Sequence, residues 1–363
     1  MKTKQKIFAF HLLNDRSGSP KVLSQLIKHW VSEDKIVHLY TNENKEGFLS
    51  DIQGVIFTKG WYKFQRNEWL RLLFYTASQL ILMFKMFLKI SKGDIVYINT
   101  VLPFGAAIIG KIRGARVIYH IHESTVNPAI LKWFLFKVVK YTASDIINVS
   151  EYVAFSHKIS TVTNHLVYNT IEDSFMEKVL PKSVVKNSQN VLMICSLKVY
   201  KGVFEFVQLA YDHPMYNFRL VLNASQKEID DFFKDTKIPQ NLILYTSQKD
   251  IHPFFQWADV IVNLSRPDGW VETFGLTIIE GMAYGLPAIV PPLGGILEVI
   301  EDQITGYAVD SRDMQKLSAV LHVLFSDRDR YVEVSANAKK RLELFRDQKM
   351  KEKMNKIINH ATF

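Results

Sequence analysis

The clearest structural pattern in the chain is residues 265–288, SRPDGWVETFGLTIIEGMAYGLPA. An apolar strand, Val260–Leu264, comes before it, and the loop that follows is rich in glycine and proline. The spacing predicts a short helix that begins near Gly275 and ends at Gly285. A helix start carries unpaired N–H groups and about 0.5 of a positive charge, which favours anions. The stretch therefore predicts a diphosphate site after a strand of an α/β sheet.

Two glutamates flank this predicted helix start. Glu272 precedes it, and Glu280 lies just over one turn inside the helix. A carboxylate repels phosphate but accepts hydrogen bonds from two neighbouring hydroxyls. We therefore expect one glutamate to hold sugar hydroxyls and the other the ribose diol of a nucleotide sugar. The alternatives are a helix-dipole charge for Glu272 and a surface position for Glu280. Apolar neighbours such as Ile278 weaken the second alternative, because a carboxylate on a buried helix needs a partner.

Short apolar runs alternate with longer helical patterns along the chain, which favours parallel sheets covered by helices on both faces. Strands are predicted at Lys6–His11, Lys35–Tyr40, Gly54–Thr58, Asp94–Asn99, Arg116–Ile121, Asp145–Val149, Asn190–Ser196, Phe218–Asn223, Leu242–Tyr245, Val260–Leu264 and Ala288–Pro291. The pattern restarts after a polar segment, Glu172–Ser188, which is typical of a linker. The chain therefore reads as two α/β domains.

Length and composition agree with two domains and exclude several classes of protein. The chain has 363 residues, of which 48% are hydrophobic, enough for two cores without a disulfide or a metal. The single cysteine, Cys195, rules out an internal disulfide and fits a reducing compartment. The net charge of +9 favours anionic partners. Gly-x-Gly-x-x-Gly and Walker-type motifs are absent after the first strand of either half, which disfavours nicotinamide and P-loop chemistry. No basic-aromatic recognition motif supports nucleic acid as a partner.

The segment around the two glutamates resembles the donor-site signature of the family-4 retaining glycosyltransferases of GT-B fold. That signature is Glu-x-Phe-Gly, a second glutamate after four more residues, and then small residues before Gly-x-Pro. The matching positions are Glu272, Phe274, Gly275, Glu280, Gly285 and Pro287. The resemblance implies an α/β GT-B fold, with two Rossmann-like domains facing across a cleft. It implies an acceptor-binding domain at residues 1–170, a nucleotide-sugar-binding domain at residues 171–345 and a C-terminal helix at residues 346–363 that packs back on the first domain.

The resemblance also implies roles for individual residues. Lys201 and Gly202 match a Lys-Gly pair that grips the donor diphosphate, while Ser196 stands near the usual arginine position. Lys198 is either a substitute for that arginine or a solvated lysine. The candidate catalytic residues are His122, Glu272 and Lys201. The candidate donor-binding residues are Gly18, Ser196, Lys198, Lys201, Thr273, Phe274, Gly275, Leu276 and Glu280.

Two of these candidates come from the first half of the chain, where the resemblance is looser. His122 lies just past a strand, at the place where the family has a histidine that faces the donor sugar. His120 alternates to the same side of the strand, and a structural histidine is the other alternative. Gly18 resembles the family's glycine-rich first loop, although an ordinary strand-to-helix loop explains it nearly as well.

The implied reaction is transfer of a sugar from a nucleoside diphosphate sugar to a hydroxyl, with retention at the anomeric carbon. The expected acceptor is a saccharide or lipid-linked saccharide in cell-surface polysaccharide synthesis, such as O-antigen or capsule. Alternatives are an epimerase or phosphorylase of the same fold, and an inactive module that binds sugar nucleotides. Asp327-Arg328-Asp329 has the Asp-x-Asp form of metal-dependent glycosyltransferases but is expected to be a surface turn. No metal and no cofactor beyond the donor is therefore predicted.

Basic and aromatic residues alternate in the first half and suggest peripheral contact with an anionic membrane. They include Trp61, Tyr62, Phe64, Arg66, Trp69, Arg71, Lys85, Lys89, Trp133, Phe134, Phe136, Lys137 and Lys140. Aromatic core positions beside solvated lysines are the alternative. The charge-free stretch Leu72–Phe84 is too short to span a bilayer and is predicted to be a buried helix. The expected location is cytoplasmic, with attachment to the inner face of the membrane.

The tail from Lys339 is lysine-rich and is predicted to be helical, with a solvated basic face. Its apolar residues could pack one side against a domain. They are Leu342, Phe345, Met350, Met354, Ile357 and Ile358.

Overall fold

The computed structural model describes residues 5–42, 47–65, 67–181 and 188–360. Arg66, named above, and part of the predicted linker lie outside these residues. The chain divides into two compact units. The first unit runs up to Tyr168 and takes in the chain from Lys353 onward, and the second unit is Asn169–Glu352.

The first unit is built on a parallel sheet. Its strands are β1 (Lys6–Phe10), β2 (Ile36–Asn42), β3 (Val55–Gly60), β4 (Ile95–Asn99), β5 (Arg116–Ile121), β6 (Asp145–Asn148) and β7 (Thr163–Leu166). Its helices are α1 (Gly18–Ser32), α2 (Glu68–Met86), α3 (Phe104–Ile112), α4 (Ala129–Thr142) and α5 (Glu151–His157). The strands pair in the order β3-β2-β1-β4-β5-β6-β7. The central strand β4 is buried along its whole length and is almost entirely apolar, as expected for a strand covered on both faces.

The second unit repeats this plan. Its strands are β8 (Asn190–Cys195), β9 (Asn217–Leu222), β10 (Leu242–Tyr245), β11 (Val260–Val262), β12 (Ala288–Val290) and β13 (Gly306–Ala308). Its helices are α6 (Asp173–Met176), α7 (Val203–Asp212), α8 (Gln226–Phe233), α9 (His252–Trp257), α10 (Leu276–Ala283), α11 (Met314–Ser326) and α12 (Arg328–Arg341). Three 3₁₀ turns lie at Val199–Lys201, Gly295–Glu298 and Leu342–Phe345. The strands are parallel in the order β10-β9-β8-β11-β12-β13. A final helix, α13 (Asp347–Asn359), begins in this unit and ends in the first.

Every strand predicted from the sequence lies on an observed strand, but two short strands were missed. The strand β7 is the edge strand of its sheet and consists of partly exposed, mostly polar residues, so it lacks an apolar alternation. The strand β13 has only three residues. Both strands belong to their sheets through backbone pairing and not through a pattern of side chains.

Two helix predictions were wrong in detail. The apolar spacing of Ile296, Val299 and Ile300 predicts a helix over Ile296–Glu301, but the structure has only the 3₁₀ turn Gly295–Glu298 there, and the three side chains are buried without a full helix. The tail is not one continuous helix: a backbone hydrogen bond from Ile171 to the Phe345 carbonyl interrupts it. The six apolar tail residues are all buried, as predicted.

Helix α2 departs from the expectation of a buried helix. One side of it, which includes Tyr75, Ser78, Leu82 and Met86, is buried against the sheet. The opposite side is also apolar but exposed, and Phe84 keeps 87% of its surface accessible. No described helix is long and apolar enough to span a bilayer.

Candidate functional site

In the second unit, the candidate residues lie where the strand order of the sheet reverses. The chain moves from β8 outward to β9 and β10, and then returns to place β11 on the other side of β8. Open α/β sheets bind ligands at the carboxyl ends of the strands on either side of such a reversal. Lys201 follows β8 and Glu272 follows β11, so the two candidate residues lie on opposite sides of this point.

Lys201 is positioned by a tight turn. It ends the 3₁₀ turn Val199–Lys201, and Gly202 follows with a φ of +77°. A Cβ at Gly202 would lie 2.1 Å from the carbonyl oxygen of Leu264, so a side chain is excluded both by conformation and by space. Gly202 therefore lets the loop after β8 approach the chain that follows β11, and Lys201 projects from this loop.

Glu272 and Lys201 form an ion pair. Lys201 Nζ donates to Glu272 Oε1 at 2.6 Å, and the two side chains are only 16% and 14% exposed. Ser265 Oγ donates to the same oxygen at 2.6 Å, and Asn263 Nδ2 donates to it at 3.3 Å. The Lys201 ammonium also lies 5.2 Å from the centre of the Trp270 ring. All three hydrogen bonds converge on Oε1, which leaves Oε2 as the oxygen that can accept from a ligand hydroxyl.

Burial by itself would raise the pKa of Glu272, because a desolvated carboxylate favours its neutral form. The charge of Lys201 and the hydrogen bonds from Lys201, Ser265 and Asn263 outweigh that effect and hold the pKa of Glu272 below its ordinary value. The carboxylate is therefore ionised at neutral pH, and the pair presents a fixed positive and a fixed negative group side by side.

The predicted helix start after Glu272 is present as α10. Gly275 precedes its first turn without a side-chain cap, so the leading N–H groups have no partner of the capping type in the described structure. Thr273, Leu276 and Thr277 stay partly accessible, so the helix start is not sealed in the core. The predicted C-terminal glycine, Gly285, has the expected positive φ of 70°.

Two further candidates in this region are buried. The Phe274 side chain lies inside the second unit against Phe345, with ring centres 5.7 Å apart, so it supports the loop from within. Glu280 is 3% exposed, as its apolar neighbours predicted. It sits on the inward side of α10, and a role toward a ribose stays a prediction.

Ser196 and Lys198 occupy the loop between β8 and Lys201. Ser196 is half-buried and Lys198 is exposed. Hydrogen bonds from Ser225 lower the pKa of Glu228 at the start of α8, and the positive charge of Lys198 lowers it further. Both residues thus lie on the loop that is predicted to approach a donor.

The first unit has its own reversal of strand order, between β1 and β4. Three polar residues meet at these strand ends. His122 Nε2 lies 3.0 Å from Asn99 Oδ1, and Asn99 Nδ2 lies 3.0 Å from His11 Nδ1. Asn99 also donates to the carbonyl of Ser19, in the first turn of α1 beside Gly18. The structure therefore brings His122 together with the loop that contains Gly18.

The histidines of this cluster are neutral. Desolvation lowers the pKa of His122 well below its ordinary value, and the neighbouring His120 and His11 lower it further. Burial lowers the pKa of His11 to about 4 and that of His120 to about 3. His120 is fully buried and bonds to the hydroxyl of Tyr97 at 2.7 Å, whereas His122 is partly accessible. The sequence left these two histidines as alternatives, and of the two only His122 is exposed enough to contact a ligand.

Four residues of these clusters were not identified as site residues from the sequence. The first is His11, which directly follows β1. Asn99 closes the buried strand β4, and Asn263 and Ser265 follow β11 directly. The available signal was a polar residue at the carboxyl end of an apolar parallel strand, since such ends meet at one edge of the sheet. The Asp-x-Asp motif is a structural feature: Asp327 caps helix α12 by accepting from the Arg330 N–H.

Comparison with known proteins agrees with this architecture. Residues 177–341, which lie within the second unit, match the family model described as "Glycosyl transferases group 1". A probable sucrose-phosphate synthase of Oryza sativa subsp. japonica is 36% identical over 75 residues, which cover 21% of this chain and 7% of that protein. The match thus spans a small part of the relative's own length.

Solved structures show the fold over nearly the whole chain. The crystal structure of Anabaena Alr3699/HepE in complex with UDP and glucose has a TM-score of 0.79 at 17% identity, and the match covers 98% of this chain and 100% of that one. Sucrose-phosphate synthase from Thermosynechococcus elongatus has a TM-score of 0.78 at 15% identity and covers 98% of each chain. The chain therefore has the GT-B fold, with two α/β units of parallel sheet.

Proposed function

We propose that this chain is a retaining glycosyltransferase that moves a sugar from a nucleoside diphosphate sugar to a hydroxyl of a saccharide or lipid-linked saccharide. The glycosyltransferase group 1 domain supports the transferase class. The observation that carries the proposal is the ion pair of Lys201 and Glu272 beside the uncapped start of α10. It combines, at one strand-order reversal, a cation for phosphate and a carboxylate for hydroxyls.

The leaving diphosphate gains negative charge as the bond to the sugar breaks. Lys201 and the N–H groups at the start of α10 supply positive charge in fixed positions, which stabilises that charge without reorganisation. Lys201 is already held by Glu272 before any donor binds, so its side chain loses little further freedom on binding. Glu272 in turn keeps Oε2 for a sugar hydroxyl. Anabaena HepE, which shares the fold, binds UDP-glucose, and this supports a donor of the same chemical class.

The proposed role of His122 is to contact the donor sugar. Because its Nε2 donates to Asn99 Oδ1, the lone pair of the neutral ring lies on Nδ1. His122 would therefore accept a hydrogen bond from a sugar hydroxyl through Nδ1 and would not act as a nucleophile. Asn99 fixes this tautomer.

Retaining hydrolases use a pair of carboxylates, one of them as the nucleophile. Without such a pair, transfer with retention fits a front-face displacement, in which the leaving phosphate oxygen takes the proton of the acceptor hydroxyl. We propose that no metal ion is needed, because Lys201 and the helix start provide the charge that a metal would. We further propose that the acceptor belongs to cell-surface polysaccharide synthesis and that transfer takes place at the inner face of the cytoplasmic membrane.

A donor panel tests the proposal. The chain is incubated with nucleoside diphosphate sugars and saccharide acceptors, with and without a chelator, and NMR follows the anomeric configuration of the product. Lys201→Met should lower turnover by about 10²–10³-fold, as loss of a single charge-stabilising group does. Lys234→Met is the matched control, since Lys234 is an exposed lysine of the same unit. Binding without sugar release would favour an inactive module, and epimerised donor without transfer would favour an epimerase.

A further inference from the structure

The outer side of α2 carries a continuous apolar stripe. Trp69, Leu73, Leu80 and Phe84 follow one another at helical spacing, and Leu88 continues the line just past the helix end. Trp69, Phe84 and Leu88 are 81%, 87% and 83% exposed. This stripe is opposite the side of α2 that packs on the sheet. A helix that is apolar on both sides is ordinarily buried, so the exposed stripe needs a partner outside the unit.

The stripe continues over two neighbouring helices. Helices α2 and α3 approach closely, since a Cβ at Gly105 would lie 2.7 Å from the Gln79 carbonyl oxygen. Helices α3 and α4 meet where the rings of Phe104 and Phe134 lie 5.2 Å apart. The inward side chains of all three helices belong to one buried cluster, so their outward side chains share one surface. We call this surface the three-helix face; its exposed apolar residues are Trp69, Leu70, Leu72, Leu73, Leu80, Phe84, Leu88, Ile112, Ile130, Trp133, Phe134 and Tyr141.

The charges on these helices are nearly all of one sign. Together α2, α3 and α4 carry one acidic residue, Glu68, and six basic residues. The basic residues are Arg71, Lys85, Lys111, Lys132, Lys137 and Lys140. Lys137 lies 4.5 Å from the centre of the Trp133 ring, so a cation and an exposed indole are presented together. Indole rings and lysines are the side chains that settle at the boundary between lipid headgroups and acyl chains.

We propose that the three-helix face docks on the surface of an anionic phospholipid bilayer. The apolar stripe enters the boundary region, and the lysines and arginine meet the lipid phosphates. A second copy of this chain fits less well, because two such faces would place like charges against each other. The biological meaning of docking rests on the proposed function, since it would hold the enzyme where a lipid-linked acceptor lies. The binding itself does not depend on any property of the donor site.

Vesicle flotation of the full chain tests the inference without donor or acceptor. The vesicles are phosphatidylcholine alone, or phosphatidylcholine mixed with an equal amount of phosphatidylglycerol. We expect binding to the mixed vesicles that weakens with added salt, and little binding to the neutral ones. Absence of binding to the mixed vesicles at low salt would overturn the proposal, and so would equal binding to both kinds.

Two pairs of variants place the binding on this face. Phe84→Glu should lower the vesicle partition coefficient by about tenfold or more, because it removes a large inserted side chain. Met215→Glu is the matched control, since Met215 is an 82% exposed apolar residue of the second unit. Lys137→Gln should lower the partition coefficient by about fivefold on anionic vesicles only, and Lys234→Gln should not. Equal losses in variant and control would refute the assignment.

Two further measurements separate the remaining outcomes. Because Phe84 is exposed, the thermal unfolding of Phe84→Glu should match that of the parent. If Phe84→Glu folds poorly, Leu88→Gln is used in its place. Light scattering shows whether the chain is a dimer that Phe84→Glu dissociates. A dimer of that kind without vesicle binding would overturn the proposal in favour of a second copy. Hydrolysis of a soluble donor should be unchanged in Phe84→Glu, so failure of docking and failure of the proposed activity give different results.

Discussion

The ion pair of Lys201 and Glu272 makes a prediction that can be worked from its geometry. At 2.6 Å, and with an effective dielectric constant of about 20, the Coulomb energy is about 6 kcal/mol, and desolvation of the two groups offsets much of it. Loss of one partner of a buried pair costs about 3–5 kcal/mol. The side chains here keep some solvent contact, and Glu272→Gln can still accept from Ser265. We therefore expect Glu272→Gln to lower the free energy of unfolding of the second unit by about 2–3 kcal/mol.

A double-mutant cycle with Lys201→Met isolates the pair. The coupling free energy between the two substitutions should be about 1–3 kcal/mol at about pH 7. Hydrogen exchange of the amides in β8 and β11 reports the unfolding of this unit alone. Because the pKa of Glu272 is lowered in the folded chain, the coupling is present above the unfolded-state pKa. It should be lost as the pH falls through the lowered pKa of the folded state and the carboxylate is protonated. A coupling below about 0.5 kcal/mol at neutral pH would show that the pair does not form.

Three more predictions follow from single residues. Glu280→Ala should abolish donor turnover while the circular dichroism spectrum stays that of the parent; full activity would remove its proposed role. Gly202→Ala should lose more stability than Gly93→Ala, by about 1–3 kcal/mol in denaturant unfolding, because both glycines have positive φ but only at Gly202 would a Cβ meet Leu264; equal losses would contradict this. Burial raises the pKa of Glu123 to about 7, so folding favours its protonated form and stability falls as the pH rises from about 4.5 to 7. Glu123→Gln should therefore raise the thermal midpoint at about pH 8 more than at about pH 5, and a shift independent of pH would count against the cause.

The sequence predicted the fold wherever apolar patterns coincide with backbone pairing. Buried strands such as β4 and β12 are apolar along their length, so their positions could be found without tertiary information. The edge strand β7 could not be found, because its residues are mostly polar and partly exposed and show no apolar alternation. For helix α2 the apolar pattern led to a wrong prediction. Its composition indicated a buried helix, but composition alone does not distinguish core residues from an exposed apolar surface that binds a partner.

The candidate site was predictable in its elements but not in its contacts. The loop, the helix start and the positive φ of Gly285 follow from local spacing, and the structure has all three. The pairing of Lys201 with Glu272 joins residues that are 71 positions apart and depends on which strands are neighbours. The sequence had assigned Lys201 to the diphosphate and Glu272 to hydroxyls of either the sugar or the ribose, without predicting that the two side chains pair.

The side chains at the two strand-order reversals differ in charge, and this difference argues for different roles. In the first unit, desolvation keeps His122 and His11 neutral, so these rings offer hydrogen bonds but no charge. Neutral rings suit hydroxyls, and they could not compensate a diphosphate. In the second unit, Lys201 forms an ion pair with Glu272, and its charge helps to hold the pKa of that carboxyl group below the ordinary value. Lys201 therefore offers a diphosphate a fixed counter-charge that the neutral rings of the first unit do not offer. If His122→Asn weakened binding of the nucleoside diphosphate itself as strongly as Lys201→Met, this division of roles would be contradicted.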